Sequence, residues 1–147
     1  MFNRTKHDKT SKTKLGLSSA ALRVPTGLFI LNSGLGKLQA DKATAEGLQG
    51  MAATGLPFVK ELDAETFAKA LAAAETGLGT ALLLPFVSNR LAGLGLTAFG
   101  SGLLTMYFGN SDNTEDDGIR PSQAGTPLAK DSWLAAIGAA LLALPKK

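Results

Sequence analysis

Four polar residues stand out because they interrupt long apolar stretches: Arg23, Asn32, Lys37 and Glu75. Arg23 and Lys37 lie at the two ends of the stretch LRVPTGLFILNSGLGK, and Glu75 lies in the middle of FAKALAAAETGLGTALLLPF. At 100° per residue, Arg23 and Lys37 fall on one face of a helix, with two glycines between them. A carboxylate in apolar surroundings needs a cation, hydrogen bonds or protonation. The pattern therefore predicts a polar site between two helices.

Glu75 has two candidate partners. If the two helices are antiparallel, Glu75 lies at a depth between Arg23 and Lys37, and we expect Arg23 to pair with it because a guanidinium matches a carboxylate well. Lys37 is expected to extend towards the surface. Asn32, on the opposite side of its helix, is expected to bond another segment. Two interpretations stay open: an ion pair that fixes helix register, or a pocket for a quinone headgroup, a proton or a small ligand.

The elements that must position these residues are four apolar blocks, each close to the ~20 residues that cross a ~30 Å hydrocarbon core. The third, LAGLGLTAFGSGLLTMYFG, carries no charge on any face, and a chain of 147 residues has too small a core to bury such a helix completely. We therefore predict an all-α, integral membrane, antiparallel four-helix bundle rather than a soluble one. The predicted spans are about 15–37, 67–87, 90–109 and 131–145. The first outer loop is expected to hold a short interfacial helix.

Charge predicts the topology. A basic tail over 1–14, Arg90 in the turn after the second span, and the C-terminal lysines share one side, which the positive-inside rule places in the cytoplasm. Both termini are then cytoplasmic, and acidic lipid is an expected neighbour of the tail. A cleaved signal peptide is the alternative for the first block, but Arg23 interrupts its apolar run.

Composition excludes several chemistries. The chain has no cysteine, which rules out disulfides, thiol catalysis and iron–sulfur ligation, and its only histidine, His7, lies in the tail. We expect no metal site and no catalytic residue. The basic tail lacks interleaved aromatic residues, so nucleic acid is not an expected partner. The glycines of GLGK and ETGLGT lack the spacing of a phosphate-binding loop and predict close helix packing instead.

The sequence resembles the DoxX family of small four-span bacterial membrane proteins. The likeness is carried by LRVPTGLFILNSGLGKL, GLQGMAATGLPF, AETGLGTALLL, NRLAGLGLTAFGSGLLT and KDSWLAAIGAALLAL, and it covers about 15–145. Arg23, Lys37, Glu75 and Arg90 match polar positions that recur in the family. The resemblance implies a multi-pass protein of the bacterial plasma membrane, linked to thiosulfate and quinone redox chemistry or to oxidative-stress complexes.

These expectations combine into one functional hypothesis and one alternative. The hypothesis is a subunit or anchor of a membrane redox complex, not catalytic by itself, with an oxidoreductase partner in the membrane or cytoplasm. It has no bound cofactor, although a quinone contact at the polar site is compatible with it. The alternative is a small-molecule transporter or a stand-alone membrane scaffold. The absence of cysteine argues against a sulfur relay within this chain.

Overall fold

The structure is a computed structural model that describes residues 3–145, with side chains from residue 8 onward. The described chain is helical throughout its regular structure and contains no β-strand between residues 3 and 145, as the all-α prediction required. Six α-helices follow one another: α1 (Asn3–Lys37), α2 (Lys42–Ala53), α3 (Ala64–Leu83), α4 (Asn89–Gly109), α5 (Thr126–Ala129) and α6 (Ser132–Ala143). Two short 3-10 turns, Pro57–Glu61 and Ser111–Asn113, lie in the long connections.

Side-chain caps define where α3 and α4 begin. Asp63 accepts the backbone N–H of Thr66 at 2.9 Å at the start of α3, and Ser88 accepts that of Leu91 at 3.1 Å at the start of α4. Such caps satisfy backbone donors that have no partner inside the helix. Hydrogen bonds from the Thr66 backbone and hydroxyl also lower the pKa of the Asp63 carboxyl below its usual value. Pro85 follows the end of α3, which it cannot extend because it has no N–H.

Helices α1 and α3 form a close antiparallel pair. Gly34 meets the backbone of Thr76, and Gly27 meets that of Gly79, so residue numbers rise along one helix as they fall along the other. A Cβ on Gly79 would lie 2.5 Å from the backbone nitrogen of Leu31. The glycines therefore allow two backbones to touch, as predicted for the inward face of the first helix.

The small residues that α3 offers to α1 differ from those predicted. In the sequence, Ala73, Gly77 and Ala81 share one face of the second apolar block, which predicts that they form the matching surface. Ala73 and Gly77 are exposed, and a Cβ on Gly77 would meet no atom within 4 Å. The small residues that contact α1 are Ala72 and Gly79, because α3 is rotated about its axis relative to the expected orientation.

Helices α4 and α6 form a second antiparallel pair, also built on glycines. Gly93 meets Gly138 and Leu141, and Gly100 meets the backbone of Ala135. The two pairs join through a core of buried side chains, Ile30, Leu82, Ala92, Leu96 and Leu141. A smaller cluster of Ala52, Val59 and Met106 lies beneath α2. The largest fully buried side chains of the described residues, Ile30, Leu82, Leu96 and Leu141, all lie in the core between the two helix pairs.

Both long connections carry defined structure. The first contains the predicted short helix, α2, which Gln49 ties to the following turn by donating to the carbonyls of Val59 and Leu62. The second has the polar composition of a mobile loop, yet Asn113 is buried and donates to the carbonyls of Met106 and Tyr107. A buried amide with two acceptors fixes this loop to the end of α4.

The helices differ in how well their lengths match the four predicted spans. Among residues 3–145, α4 alone is long and apolar enough to cross a membrane by length and composition. Helix α1 continues without a break from Asn3 across the predicted tail boundary at residue 14. Helix α6 has 12 residues and covers about 18 Å at 1.5 Å per residue. The four-span arrangement therefore stays a prediction.

The outer surface of the bundle is rich in large apolar side chains. Phe29 on α1 is 66% exposed, Phe108 on α4 is 63% exposed, and Trp133 on α6 is 66% exposed. Only 33% of the apolar window of α4 is buried inside the protein. A helix in the core of a water-soluble protein is mostly covered, which α4 is not.

Candidate functional site

The Glu75 side chain is buried in the middle of α3 and forms an ion pair with Lys37. The Lys37 ammonium donates to Glu75 Oε2 at 2.9 Å and to Ser33 Oγ at 2.6 Å. The side chain of Glu75 is 5% exposed and that of Lys37 is 22% exposed. Lys37 is also the last residue of α1, where a cation favours the free helix carbonyls. Among the described residues, Lys37 is therefore the cation that pairs with the Glu75 carboxylate.

The predicted Arg23–Glu75 pair is wrong. The guanidinium of Arg23 uses all five of its N–H bonds elsewhere, at 2.7–3.0 Å, donating to Ala81 O, Leu82 O, Leu84 O, Val87 O and Asn89 Oδ1. The last carbonyls of a helix have no partner within it, so Arg23 caps the C-terminus of α3 and holds the turn into α4. Its buried position reflects a structural role.

Helix register explains why Lys37 pairs with Glu75 and Arg23 does not. Gly34 lies against Thr76, which places Glu75 level with the last turn of α1. Arg23 is eleven residues before Gly34, roughly 16 Å away along the axis. No arginine side chain spans that distance, whereas Lys37 is less than one turn from Gly34.

The other two predicted site residues lie outside the ion pair. Asn32 is exposed on the far side of α1, and no side-chain hydrogen bond is described for it within residues 3–145. Arg90 is exposed at the start of α4. Arg90 and Arg23 line a second cavity of about 440 Å³ at the opposite end of the bundle. Of the predicted residues, only Lys37 and Glu75 come together.

The ion pair lies on the wall of a cavity of about 460 Å³ between α1, α2, α3, α4 and the start of α6. Its walls are mostly apolar, and the bulky side chains among them include Phe29, Phe67, Phe99, Met51 and Met106. The polar side chains on the walls are Ser33, Lys37, Glu75 and Asp131. An apolar space with a few convergent polar groups is the usual form of a small-molecule site.

Asp131 is the site residue that sequence reasoning missed. In the sequence it is one of the acids of the second outer loop, directly before an apolar helix, where an N-cap usually lies. Asp131 does occupy that position before α6, but its side chain makes no capping bond. It is partly buried, lines the cavity, and lies close enough to Glu75 for the two charges to repel. No signal in the sequence joins residues 75 and 131.

The cavity carries polar groups that can bind a ligand. Its walls offer carboxylates, an ammonium and a hydroxyl, which can hold a polar group or carry a proton. No group of three or more His, Cys, Asp or Glu side chains within residues 3–145 is placed to hold a metal ion. Comparison of the chain with protein-family models, curated proteins and solved structures gives no match.

Proposed function

We propose that this chain is a multi-pass integral membrane protein of DoxX-like type, with both termini in the cytoplasm of a bacterial cell. One observation carries this proposal: α4 is uncharged from Leu91 to Gly109, and only 33% of its apolar window is buried inside the fold. Lipid is the environment in which such a helix is stable. The exposed Phe29 and Trp133 extend the same surface to α1 and α6.

The packing within the bundle supports the same proposal. Helices in lipid gain little from burying apolar side chains against one another, so they associate through small residues and polar contacts. Both helix pairs meet through glycine, Arg23 caps the end of α3, and Lys37 pairs with Glu75. Helix α6 is short for a ~30 Å core, a mismatch that a bilayer meets by thinning locally.

Within the membrane we propose the role of a non-catalytic subunit or anchor of a redox complex. In this role the chain positions the complex in the membrane and a partner subunit transfers the electrons. If the chain contacts a quinone, as the sequence allows at the polar site, the contact would fall at this cavity, whose walls are mostly apolar. The resemblance to DoxX proteins is what points to redox chemistry.

Fusions of alkaline phosphatase and of green fluorescent protein test the topology. The protein is expressed in bacteria with either reporter placed after residue 147 or inserted between residues 111 and 118. We expect fluorescence from the C-terminal fusion and phosphatase activity from the loop insertion. A fluorescent loop insertion would overturn the topology, and extraction of the chain from membranes by alkaline carbonate would overturn membrane insertion altogether.

Purification in a mild detergent tests the role. A redox subunit should bring down a stoichiometric oxidoreductase, identified by mass spectrometry and by its cofactor absorbance. The Asp131→Asn variant, which keeps the ion pair between Lys37 and Glu75, shows whether capture depends on the cavity. A homogeneous homo-oligomer with no partner would refute the redox-subunit proposal and leave a stand-alone scaffold or transporter.

A further inference from the structure

The charges around the cavity do not balance. Helix α1 contributes Lys37, α3 contributes Glu75, and Asp131 adds a second carboxylate from the start of α6. The cavity walls supplied by α2 and α4 carry no ionisable side chain. The Lys37 ammonium is committed to Glu75 and Ser33. One cation therefore faces two carboxylates in surroundings that are mostly apolar.

The Asp131 side chain has no hydrogen-bond or ion-pair partner within the described residues. Its backbone has helical angles, φ −67° and ψ −14°, instead of the extended angles of an ordinary N-cap, and its carboxylate makes no capping hydrogen bond. No ion pair to it is present among residues 3–145. A partly buried carboxylate that the fold leaves unused is free to bind a ligand.

The apolar walls define what the rest of that ligand must be. Phe29, Phe67 and Phe99 come from three different helices and line the same space. A volume of about 460 Å³ is near the lower end of the usual range for ligand sites, which suits one ring or a short alkyl chain. Aromatic faces also attract cations.

We propose that the cavity binds a small amphipathic cation, a protonated amine carried on an aromatic ring or a short apolar chain. The ammonium lies between Asp131 and Glu75, and the apolar body lies against the phenylalanines. A cation brings the site to two positive and two negative charges. A neutral quinone leaves Asp131 unpaired, and an anion adds a third negative charge. This proposal deepens the proposed function, on which it rests for the setting of the cavity within a membrane bundle.

Calorimetric titration of the full-length protein in a mild detergent tests the ligand class. The probes are 2-phenylethylammonium, its neutral analogue 2-phenylethanol, the anion 3-phenylpropanoate, and a short-chain ubiquinone. We expect the ammonium to bind at least about tenfold more tightly than the alcohol, since a charge-assisted contact replaces a neutral one. Equal affinities, or tightest binding of the anion or the quinone, would overturn the proposal.

The substitution Asp131→Asn assigns the effect to one carboxylate. It keeps the size of the side chain and removes its charge, so the affinity for the ammonium should fall about tenfold while that for the alcohol changes less than about twofold. Asp116→Asn, the same change in an exposed part of the loop, is the matched control and should alter neither affinity. An equal fall for both probes would show that Asp131 is only structural and would refute the assignment.

The two proposals can fail separately. The titration is performed in detergent and reports the cavity whether or not the chain spans a bilayer. The reporter fusions and the purification report membrane topology and partners without reference to an amine. If Asp131→Asn does not fold, as judged by circular dichroism, the order of the four probe affinities on the unsubstituted protein still decides the ligand class.

Discussion

The Lys37→Met substitution provides the sharpest test of the ion pair. It keeps an unbranched side chain of similar length and leaves the Glu75 carboxylate, 5% exposed, without its cation. Breaking a buried pair by removing one partner costs about 3–5 kcal/mol. Lys37 is 22% exposed, so water reaches one side of the pair, and we expect a loss near the lower limit, about 3 kcal/mol.

Glu75→Leu should cost less, about 1 kcal/mol. The ammonium that remains keeps Ser33 Oγ at 2.6 Å and can extend to the surface along the end of α1. The double variant should recover much of the loss, because neither charge is then left alone. The resulting coupling energy between Lys37 and Glu75 should be about 1–3 kcal/mol.

Thermal unfolding in detergent, followed by far-ultraviolet circular dichroism, gives the melting temperatures of all four proteins of this cycle. For a chain of this size a loss of 3 kcal/mol lowers the melting temperature by roughly 6–12 °C. A second cycle on Arg23 and Glu75 is the control, and its losses should add within about 0.5 kcal/mol because the two residues share no partner. Additive losses for Lys37 and Glu75, or coupling between Arg23 and Glu75, would refute the assignment of the pair.

Three further predictions concern other features of the fold. Arg23→Lys should destabilise the protein by about 2–3 kcal/mol, because three amine hydrogens cannot replace five fixed guanidinium donors, and Arg90→Lys should have no measurable effect in the same melt. Gly79→Ala should cost about 2–3 kcal/mol, since its Cβ would lie 2.5 Å from the backbone of Leu31, whereas Gly77→Ala should be neutral or slightly stabilising. Asp63→Asn should make the melting temperature less sensitive to acid below about pH 4, because Asn can cap α3 but cannot be protonated.

The sign of the acid effect follows from the lowered pKa of Asp63. Its hydrogen bonds to Thr66 favour the ionised form, so the stabilisation is complete above the unfolded-state value of about 3.9 and is lost as pH falls through the lower folded-state value. Identical pH profiles for Asp63→Asn and the unsubstituted protein would refute this contribution. Equal melting temperatures for the two glycine variants would show that the contact between α1 and α3 is looser than described.

The sequence by itself determined the features that depend on neighbours along the chain. The apolar blocks and their Pro and Gly boundaries predicted an all-helical chain, and the short helix α2 was predicted within the first long connection. The face of α1 that carries Arg23, Gly27 and Lys37 was correctly predicted to face inward, because the helical period of 3.6 residues fixes which side chains share a side.

The tertiary structure decided which polar residues meet. Glu75 pairs with Lys37 instead of Arg23 because the glycine contacts set the axial register between α1 and α3, and a sequence contains no measure of that register. Asp131 joins the site only because α6 packs on α4 and brings its first turn to the cavity shared with α3. Contacts between residues so far apart in the chain depend on how whole helices pack, a balance of many side chains that no local pattern encodes.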